Sequence, residues 1–447
     1  MQTEQQDFWP AEEDTHRQQR KPHRWRALLI PCLLTLGCSA VQAQSVQVLH
    51  WWKSLSEQQA VNLLTTKLAQ DNLQWRDGLV PSGSGVGASI VLKSRILAGN
   101  APEAAQLNGV LVSEWAELGL LLDIDNVAQT GKWEKSLFPK VWNLIQVKNH
   151  VVAAPLGIHR INTLFYNKKI FSKLDLKPPA SWEEFDQVVR KLQQAGITPL
   201  AQSSEVWQVA TLFETVLLSV SSPGFYHDVF VRKQPSAMMD ARFAQALKRL
   251  RILKKAMPNP VADKLWMDLS RQLAEGQAAM LIMGDWAKGE LNALGLPTDT
   301  GFSCVAVPGT AAYHIYDVDT LVMLARDGSK RSAQEKLAQW VVSPALQQEY
   351  NQVKGSIPVL KNPDLTKMDS CARNAWKVFS GDAAAQVPSF AHRMATDEIS
   401  RDAMMNEIHR FFMDDQMSVE EAQKRMATMV RALPKNKAGN DAQDINR

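Results

Sequence analysis

VQVLHWWKSLSE, residues 46–57, is the segment from which the architecture of this chain can be predicted. Val46, Val48 and His50 alternate with Gln47 and Leu49, which is the period of a β-strand. After the strand, the apolar residues are spaced as on one helix face: Ala60, Leu63, Leu64 and Leu68. Trp51 and Trp52 therefore lie where a strand ends and a helix begins, the edge of an open α/β sheet at which ligands bind. The alternative, that both indoles belong to the hydrophobic core, stays open at this point.

Length and composition indicate an ordinary globular protein with more than one core. The chain has 447 residues, of which 45% are hydrophobic and 21% charged, and this length supports about two or three cores. The formal net charge is +4, with the two signs interspersed and no long Lys/Arg run. Nucleic acid is therefore not expected among the partners.

Residues 1–43 have the pattern of a secretory signal peptide preceded by a long lead. A basic stretch comes before an apolar run, residues 27–38, which is shorter than the ~20 residues needed to span a bilayer. Val41 and Ala43 then occupy the −3 and −1 positions of a signal-peptidase site. We therefore expect an exported protein whose mature chain starts near Gln44, with a lipoprotein anchored through Cys38 as the alternative.

The cysteines divide at the same point in the chain. Cys32 and Cys38 lie in the signal segment, whereas Cys304 and Cys371 remain in the mature protein. An even pair of cysteines in an exported protein predicts a disulfide. Two buried free thiols are the alternative.

Strand and helix patterns alternate along the rest of the chain, which predicts an α/β architecture. Capping boxes, in which Ser precedes Glu by three residues, predict helix starts at Ser181, Ser332 and Ser418. Residues 157–167 are predicted to form one long strand that passes from one lobe to the next. Residues 278–283 are predicted to form a buried strand, followed by Gly-Asp-Trp.

No enzymatic signature is complete in this sequence. Residues 83–88 match the dinucleotide motif G-x-G-x-x-A, but a βα unit precedes them and no strand-end acid follows at the required distance. An ordinary loop that opens a helix is therefore favoured. Motifs of zinc peptidases, serine hydrolases, P-loops and dithiol enzymes are absent, and the histidines are scattered. We predict no catalytic residues, no metal site and no cofactor.

Tryptophan is the residue that stands out. Several of the 14 tryptophans follow predicted strands or start predicted helices beside polar groups: Trp51, Trp52, Trp207, Trp266 and Trp286. A pyranose ring has an apolar C–H face and a rim of hydroxyls, so an indole next to charged hydrogen-bond partners suits it. Hydrogen bonds to charged groups contribute about 1.5–3 kcal/mol each, and a handful suffices for roughly micromolar affinity. Core packing is the alternative for each single indole.

Several motifs between residues 45 and 433 together carry a family resemblance. They are the Trp pair with Glu57, GVGASIVLKSRILAG, Ala154-Pro155 through His159-Arg160, PPASWEEF, EGQAAMLIMGDWA, Asp319-Thr320, KGSIP and Ala391-His392. With these motifs, the chain resembles the extracellular solute-binding proteins of ATP-driven sugar importers, in the maltose-binding superfamily. It is most similar to their glucose/mannose-binding branch.

The resemblance implies an α/β, two-lobed periplasmic-binding-protein fold with a hinge. The N-terminal lobe would comprise residues 44–155 and 312–356, the C-terminal lobe residues 156–311 and 357–433, and the flexible tail residues 434–447. The lobes would close on a monosaccharide and deliver it to the transmembrane permease subunits of an ABC importer. We expect a monomer, and a chemoreceptor as a further partner is left open.

The resemblance also implies a set of ligand contacts. One indole of the Trp pair would stack on the sugar ring, charged and amide groups would bond its hydroxyls, and further tryptophans would line the far wall. Lys354 would lie close to the hinge. The full set is Trp51, Trp52, Glu57, Gln106, Asn108, His159, Trp266, Trp286, Asp319, Lys354 and His392.

Two departures from the branch concern the identity of the ligand. Residues 53–56 are bulkier than the small glycines usual there, and Asn108 stands where a basic or imidazole group is usual.

Two alternative functions stay open. The same fold could hold a quaternary ammonium in an aromatic box, or the protein could be a secreted glycosidase with Glu57 and Asp319 as its carboxylates.

Overall fold

The computed structural model describes residues 44–80, 85–325 and 328–434. The predicted signal segment, residues 81–84 of the glycine-rich loop and nearly all of the predicted tail lie outside these ranges. The strands are β1 (Gln44–His50), β2 (Leu73–Leu79), β3 (Ala104–Gln106), β4 (Gln146–Val147), β5 (His150–Val151), β6 (Ala153–Arg160), β7 (Thr163–Asn167), β8 (Thr198–Ala201), β9 (Ala278–Met283), β10 (Phe302–Ala306), β11 (His314–Met323) and β12 (Gln386–Pro388).

Helices occupy most of the chain between these strands. They are α1 (Leu55–Gln70), α2 (Gly85–Leu97), α3 (Val110–Glu117), α4 (Asp125–Thr130), α5 (Trp133–Ser136), α6 (Pro139–Leu144), α7 (Lys168–Lys173), α8 (Trp182–Gln194), α9 (Val206–Ser219), α10 (Pro223–Phe230), α11 (Pro235–Met238), α12 (Ala241–Lys254), α13 (Trp266–Ala274), α14 (Trp286–Ala293), α15 (Arg331–Val341), α16 (Pro344–Lys354), α17 (Ser370–Phe379), α18 (Glu398–Met413) and α19 (Val419–Ala432).

The opening strand and helix form as the sequence predicts. Val46 and Val48 of β1 are fully buried. Ser54 caps α1, because its hydroxyl accepts a hydrogen bond from the main-chain N–H of Glu57 and the Glu57 carboxylate accepts one from the N–H of Ser54. This reciprocal capping box satisfies two main-chain donors that a helix start otherwise leaves free.

The other predicted capping boxes have mixed outcomes. Ser181 and Ser418 each accept a hydrogen bond from the N–H three residues later, as predicted. The prediction at Ser332 is wrong, because α15 already begins at Arg331. Glu335 there forms an ion pair with Arg331, one helical turn earlier, at 2.8 Å.

The first sheet contains the opening unit and is mixed in direction. Its order is β12-β11-β3-β1-β2, with β6 also paired to β11. β1 runs parallel to β2 and β3, while β11 runs antiparallel to β3 and β6. We call the apolar cluster around this sheet the first core; it includes Leu64 of α1, Leu337 of α15 and Tyr350 of α16.

The second sheet has the order β10-β7-β9-β8 and carries a separate apolar cluster. The predicted strand at residues 278–283 is β9, one of the two inner strands of this sheet, and all six of its residues are buried. We call the surrounding cluster the second core; it includes Phe213 of α9, Leu250 of α12 and Phe411 of α18.

The chain passes between the two cores along strands that pair with each other. Ile158 of β6 belongs to the first core and Ile161, just beyond the strand, to the second. In β11, Ile315 belongs to the second core and Val318 to the first. A third passage follows Phe379, the last first-core residue of α17. We propose that these three passages form the hinge of a two-lobed architecture.

The predicted single strand over residues 157–167 is wrong. It is divided into β6 and β7 by a bend at residues 161–162. The reason is the side chain of Asn162, which donates to the main-chain oxygen of Tyr313 and accepts from the N–H of Ile315. These bonds turn the chain from one sheet into the other.

The core memberships bear on where the lobes end. Ile357, Val359 and Phe379 pack in the first core, whereas Val387 packs in the second. We therefore propose that the last passage between the lobes lies after residue 379 rather than near residue 357.

A predicted disulfide joins the two cores. Cys304 of β10 packs against the second core, and it is bonded to Cys371 of α17, a helix whose inner face belongs to the first core. The same helix start carries an ion pair between Lys288 and Asp369 at 2.7 Å. The disulfide prediction is confirmed, and the bond lies beside the hinge.

Replacing both bonded cysteines by serine is expected to lower the free energy of unfolding by about 2–4 kcal/mol, because the unfolded chain loses a cross-link between residues 67 positions apart. Urea denaturation followed by circular dichroism measures the change. Reduced wild-type protein should match the variant, and an unchanged unfolding midpoint would contradict the prediction.

Candidate functional site

A cavity of about 330 Å³ lies between the two cores, a volume within the ~300–1,000 Å³ range of small-molecule sites. First-core residues such as Trp52 and second-core residues such as Trp286 both contribute to its walls. All of the predicted ligand-binding residues line it: Trp51, Trp52, Glu57, Gln106, Asn108, His159, Trp266, Trp286, Asp319, Lys354 and His392. Their individual roles toward a ligand stay predictions.

A buried ion network forms the first-core wall of the cavity. Lys354, the last residue of α16, places its Nζ 3.1 Å from Oε1 of Glu57 and 3.8 Å from Oδ2 of Asp319. The other oxygen of Glu57 accepts from the main-chain N–H groups of Lys53 and Ser54, both at 3.0 Å. Burial opposes the lysine charge, but Glu57 and Asp319 outweigh it and raise the pKa of Lys354.

Amide side chains hold Asp319 from the other side. Its Oδ1 accepts from Nε2 of Gln106 at 3.0 Å and from Nδ2 of Asn108 at 2.9 Å. Asp317 lies on the same face of β11, and burial together with the charge of Asp319 raises its pKa. Burial acts on Asp319 as well, but the charge of Lys354 holds the pKa of Asp319 below its usual range. Of these two aspartates, Asp319 therefore stays a carboxylate, whereas Asp317 is protonated more easily.

His159 connects the carboxylates of the two cores. Its Nδ1 lies 2.6 Å from Oδ1 of Asp285, and its Nε2 lies 3.3 Å from Oδ2 of Asp319. The second oxygen of Asp285 accepts from the main-chain N–H of Arg160 at 2.9 Å. Burial disfavours a charged imidazole, but the charge of Asp285 prevails and raises the pKa of His159 to about 9. At neutral pH the ring is therefore a buried cation between two carboxylates.

The main chains of the two cores touch beside this network. Gly355 follows α16 with φ +102°, and a Cβ there would lie 2.2 Å from the main-chain oxygen of Asp285. At Gly289 of α14, a Cβ would lie 2.5 Å from the main-chain oxygen of Val353. No other residue type fits without moving one of the two chains.

The two adjacent tryptophans differ in burial. Trp52 is only 1% exposed; it stacks on His50 at a ring distance of 5.0 Å and meets the edge of Tyr350 at 6.4 Å. Trp51 is half-buried at the cavity. Trp52 thus belongs to the first core and also lines the cavity, while Trp51 is the more accessible indole.

An aromatic cluster forms the second-core wall. Trp286 is its centre, with ring distances of 6.4 Å to Trp207, 6.5 Å to Trp266 and 5.2 Å to His392. Burial, reinforced by the charge of Arg401, lowers the pKa of His392 to about 3. His392 is therefore neutral at physiological pH. Its Nδ1 lies 2.9 Å from the hydroxyl of Ser389, so Nε2 is the ring nitrogen left for a ligand.

Several cavity residues are not among the predicted ligand contacts. Asp317 could have been identified, since it lies two residues before Asp319 and alternate strand residues share a face. The residues from α18 give no such signal, because charged residues in an amphipathic helix ordinarily face solvent. The additional lining residues are Lys53, Val206, Trp207, Asp317, Ala391, Arg393, Arg401, Asp402, Met405 and Asn406.

Metal centres and membrane-spanning helices are not found in the described parts of the chain. No group of three or more His, Cys, Asp or Glu side chains there is arranged to hold a metal ion. None of the helices in these ranges is long and apolar enough to cross a membrane.

Comparison with known proteins gives consistent matches in sequence and in structure. Residues 57–348 match the family described as bacterial extracellular solute-binding protein. A "probable sugar-binding periplasmic protein" of Brucella melitensis is 33% identical over 407 residues, which are 90% of this chain and 96% of that protein. A protein of the same description from Rhizobium meliloti is 32% identical, over 90% of this chain and 97% of its own length.

Solved structures resemble the chain over most of its length. The bacterial solute receptor AcbH, described as exclusive for β-D-galactopyranose, has a TM-score of 0.74 at 16% identity and covers 91% of this chain and 100% of its own. The maltose-bound T. maritima MalE3 has a TM-score of 0.71 at 16% identity, over 87% of this chain and 99% of its own. At such identities the likeness concerns the fold alone, and it confirms the predicted two-lobed α/β architecture.

Lys354→Met is expected to destabilise the protein by about 3–5 kcal/mol, because it leaves the buried carboxylate of Glu57 without its cation and removes one of the two cations beside Asp319. Chemical denaturation of the variant measures this loss. Lys67 is a matched control, since it joins the same two helices through an exposed pair with Glu349 at 3.3 Å, and Lys67→Met should cost less than about 1 kcal/mol. Equal losses in the two variants would contradict the assigned role of burial.

The charge of His159 is expected to make stability depend on pH. Because its folded pKa is raised from 6.5 to about 9, its contribution is complete below pH 6.5 and is lost as the pH rises through 9. We expect a decline of roughly 2–4 kcal/mol across this window. The difference in unfolding free energy between wild type and His159→Gln, measured at several pH values, isolates this contribution.

His150 supplies the control for that pH profile. It also lies beside a carboxylate, Asp125, at 2.7 Å, but its side chain is 61% exposed. His150→Gln should therefore keep the wild-type decline above pH 6.5. If the unfolding free energy of His159→Gln declines above pH 6.5 as much as that of the wild type, the pH dependence does not come from His159.

Proposed function

Because the chain belongs to the family of bacterial extracellular solute-binding proteins, we propose that it is the periplasmic substrate-binding subunit of an ATP-driven sugar importer. Its ligand is a monosaccharide with a glucose- or mannose-like ring. The relatives named as probable sugar-binding periplasmic proteins support the choice of a sugar. Members of this family bind solutes and are not enzymes, which agrees with the absence of a catalytic motif in the sequence.

The observation that carries this proposal is a cavity with indoles and polar side chains on both walls. The first-core wall offers Trp51 and the network of Lys354 and Asp319, and the second-core wall offers Trp286 and His392. The indole N–H groups of Trp52 and Trp286 have no hydrogen-bond partner among the described residues. A pyranose placed between the walls would cover the indole faces with its C–H groups and supply hydroxyl acceptors.

Lobe closure follows from the position of the site next to the hinge. A ligand that contacts both walls binds the closed arrangement more tightly than an open one, so it shifts the population toward closure. The closed, loaded protein would then be recognised by the transmembrane subunits of the permease. Export to the periplasm, a monomeric state and a further role with a chemoreceptor stay predictions.

The alternative ligand classes fit the cavity less well. A quaternary ammonium would meet the tryptophans, but it would also meet the buried cations of Lys354, Arg393 and Arg401. A glycosidase would need two free carboxylates, whereas Glu57 is bonded to Lys354 and to the start of α1. The hydroxyls of a sugar suit this mixture of donors and acceptors better than either alternative.

Titration with a panel of monosaccharides should quench or shift tryptophan fluorescence and saturate. Trp51→Ala is expected to weaken the best ligand by about 30-fold, since a buried aromatic contact is worth roughly 2 kcal/mol. Isothermal calorimetry measures the dissociation constants.

Trp340 provides the control for this substitution. Its indole donates to Asp71, away from the cavity, so Trp340→Phe should leave the dissociation constant unchanged. Absence of any response to the sugar panel would refute the proposed function.

A further inference from the structure

One face of α18 forms a part of the cavity that the sequence did not predict. Arg401, Asp402, Met405 and Asn406 line the cavity, and their spacing of one, four and five positions places them on one side of the helix. Arg393, from the segment before α18, lies in the same wall. This part of the wall is polar and differs from the aromatic cluster around Trp286.

The two arginines are buried with incomplete hydrogen bonding. Arg401 is 2% exposed; its Nε and Nη2 donate to Oδ1 of Asp402 at 3.0 and 2.6 Å, and its Nη1 has no partner among the described residues. Arg393 is 7% exposed. Its Nη2 lies 3.6 Å from Oε1 of Glu398, and neither its Nε nor its Nη2 makes a hydrogen bond within the described ranges.

The carboxylates around these arginines balance their charge only in part. The Asp402 side chain is 41% exposed and that of Glu398 22% exposed, so solvent screens both. Asp317 is the third neighbouring carboxyl, and its raised pKa weakens it as a counter-charge. Burial and the charge of Arg401 lower the pKa of Arg393 to about 10. The two guanidinium groups thus repel each other, and three of their nitrogens, Nε and Nη2 of Arg393 and Nη1 of Arg401, have no acceptor among the described residues.

Guanidinium chemistry indicates what would complete this wall. Arginine presents a planar fork of donors that matches carboxylate and phosphate groups, and it is preferred over lysine where such anions are bound. A buried guanidinium donor without an acceptor destabilises the folded protein. An anion at this position would supply both hydrogen-bond acceptors and negative charge, whereas a neutral hydroxyl would supply only an acceptor.

We infer that Arg393 and Arg401 form a subsite for an anionic substituent of the bound sugar, a carboxylate or a phosphate ester. The inference rests on the proposed function and extends it. The pyranose ring lies between the tryptophan walls, and its acidic group faces α18. The transported compound is then a sugar acid or sugar phosphate rather than a neutral hexose.

Calorimetric titration with matched sugars tests the subsite. Glucose, glucuronate and glucose 6-phosphate share one ring and differ in the group at its sixth carbon; mannose and mannuronate form a second set. At constant ionic strength, the acidic member of at least one set should bind ten-fold or more tightly than its neutral counterpart. The preferred member identifies the anion as carboxylate or phosphate.

Variants separate the subsite from the rest of the cavity. Arg401→Gln and Arg393→Gln should each weaken the acidic sugar ten-fold or more while changing neutral-sugar affinity less than three-fold. Arg410→Gln is the control, since Arg410 lies on the same helix with a side chain that is 60% exposed, and it should change neither affinity. Thermal unfolding verifies that each variant folds. If Arg401→Gln does not fold, Arg401→Lys replaces it, because lysine keeps the positive charge but lacks the planar fork of donors.

The outcomes distinguish this inference from the proposed function. Neutral sugars that bind as tightly as acidic ones, with no effect of the arginine variants, would overturn the subsite and leave the sugar-binding function intact. An absence of binding by every sugar, neutral or acidic, would remove both.

Discussion

The buried contact of Lys354 with Glu57 and Asp319 is the constraint on which the site depends. It joins the end of α16, the start of α1 and the middle of β11, three elements that are remote in sequence. Removing any one charge would leave an uncompensated partner in an environment with little water. The network therefore fixes the geometry of the first-core wall before any ligand arrives, and His159 extends it to Asp285 at the second core.

The hinge and the site share the same strands. β6 ends in His159 and Arg160, and β11 carries Asp317 and Asp319 at the level where the chain passes between cores. The disulfide at α17 ties the two cores together near this level. The cavity is thus lined by side chains whose main chain forms the pivot. The proposed ligand would therefore have a direct physical route from binding to lobe movement.

Much of this arrangement could be predicted from residues alone, because local chemistry and tertiary structure agree there. The strand, the Trp pair and the capping box of α1 are all encoded within residues 44–57, and β9 with its Gly-Asp-Trp end is a continuous apolar run. Resemblance to a family then gathered residues as distant as Glu57 and His392, which no spacing rule connects. Structure places all of them in one cavity.

The parts that sequence reasoning missed depend on tertiary contacts. The bend after β6 is set by Asn162 and its partners near residue 313. Helix α15 begins earlier than predicted, at Arg331, which forms an ion pair with Glu335. The arginines of the α18 wall look like solvent-facing residues until the helix is packed. A charged residue in a helix has no local mark that distinguishes a water-facing side chain from one that faces a cavity.

The close approach at Gly355 has a consequence for how binding strength can evolve. The main chain of Gly355 lies against the carbonyl of Asp285. Any side chain at this position would therefore push the two lobes apart. Sugar affinity in this protein can therefore be tuned from a position that no ligand atom reaches, by altering how far the halves can swing together.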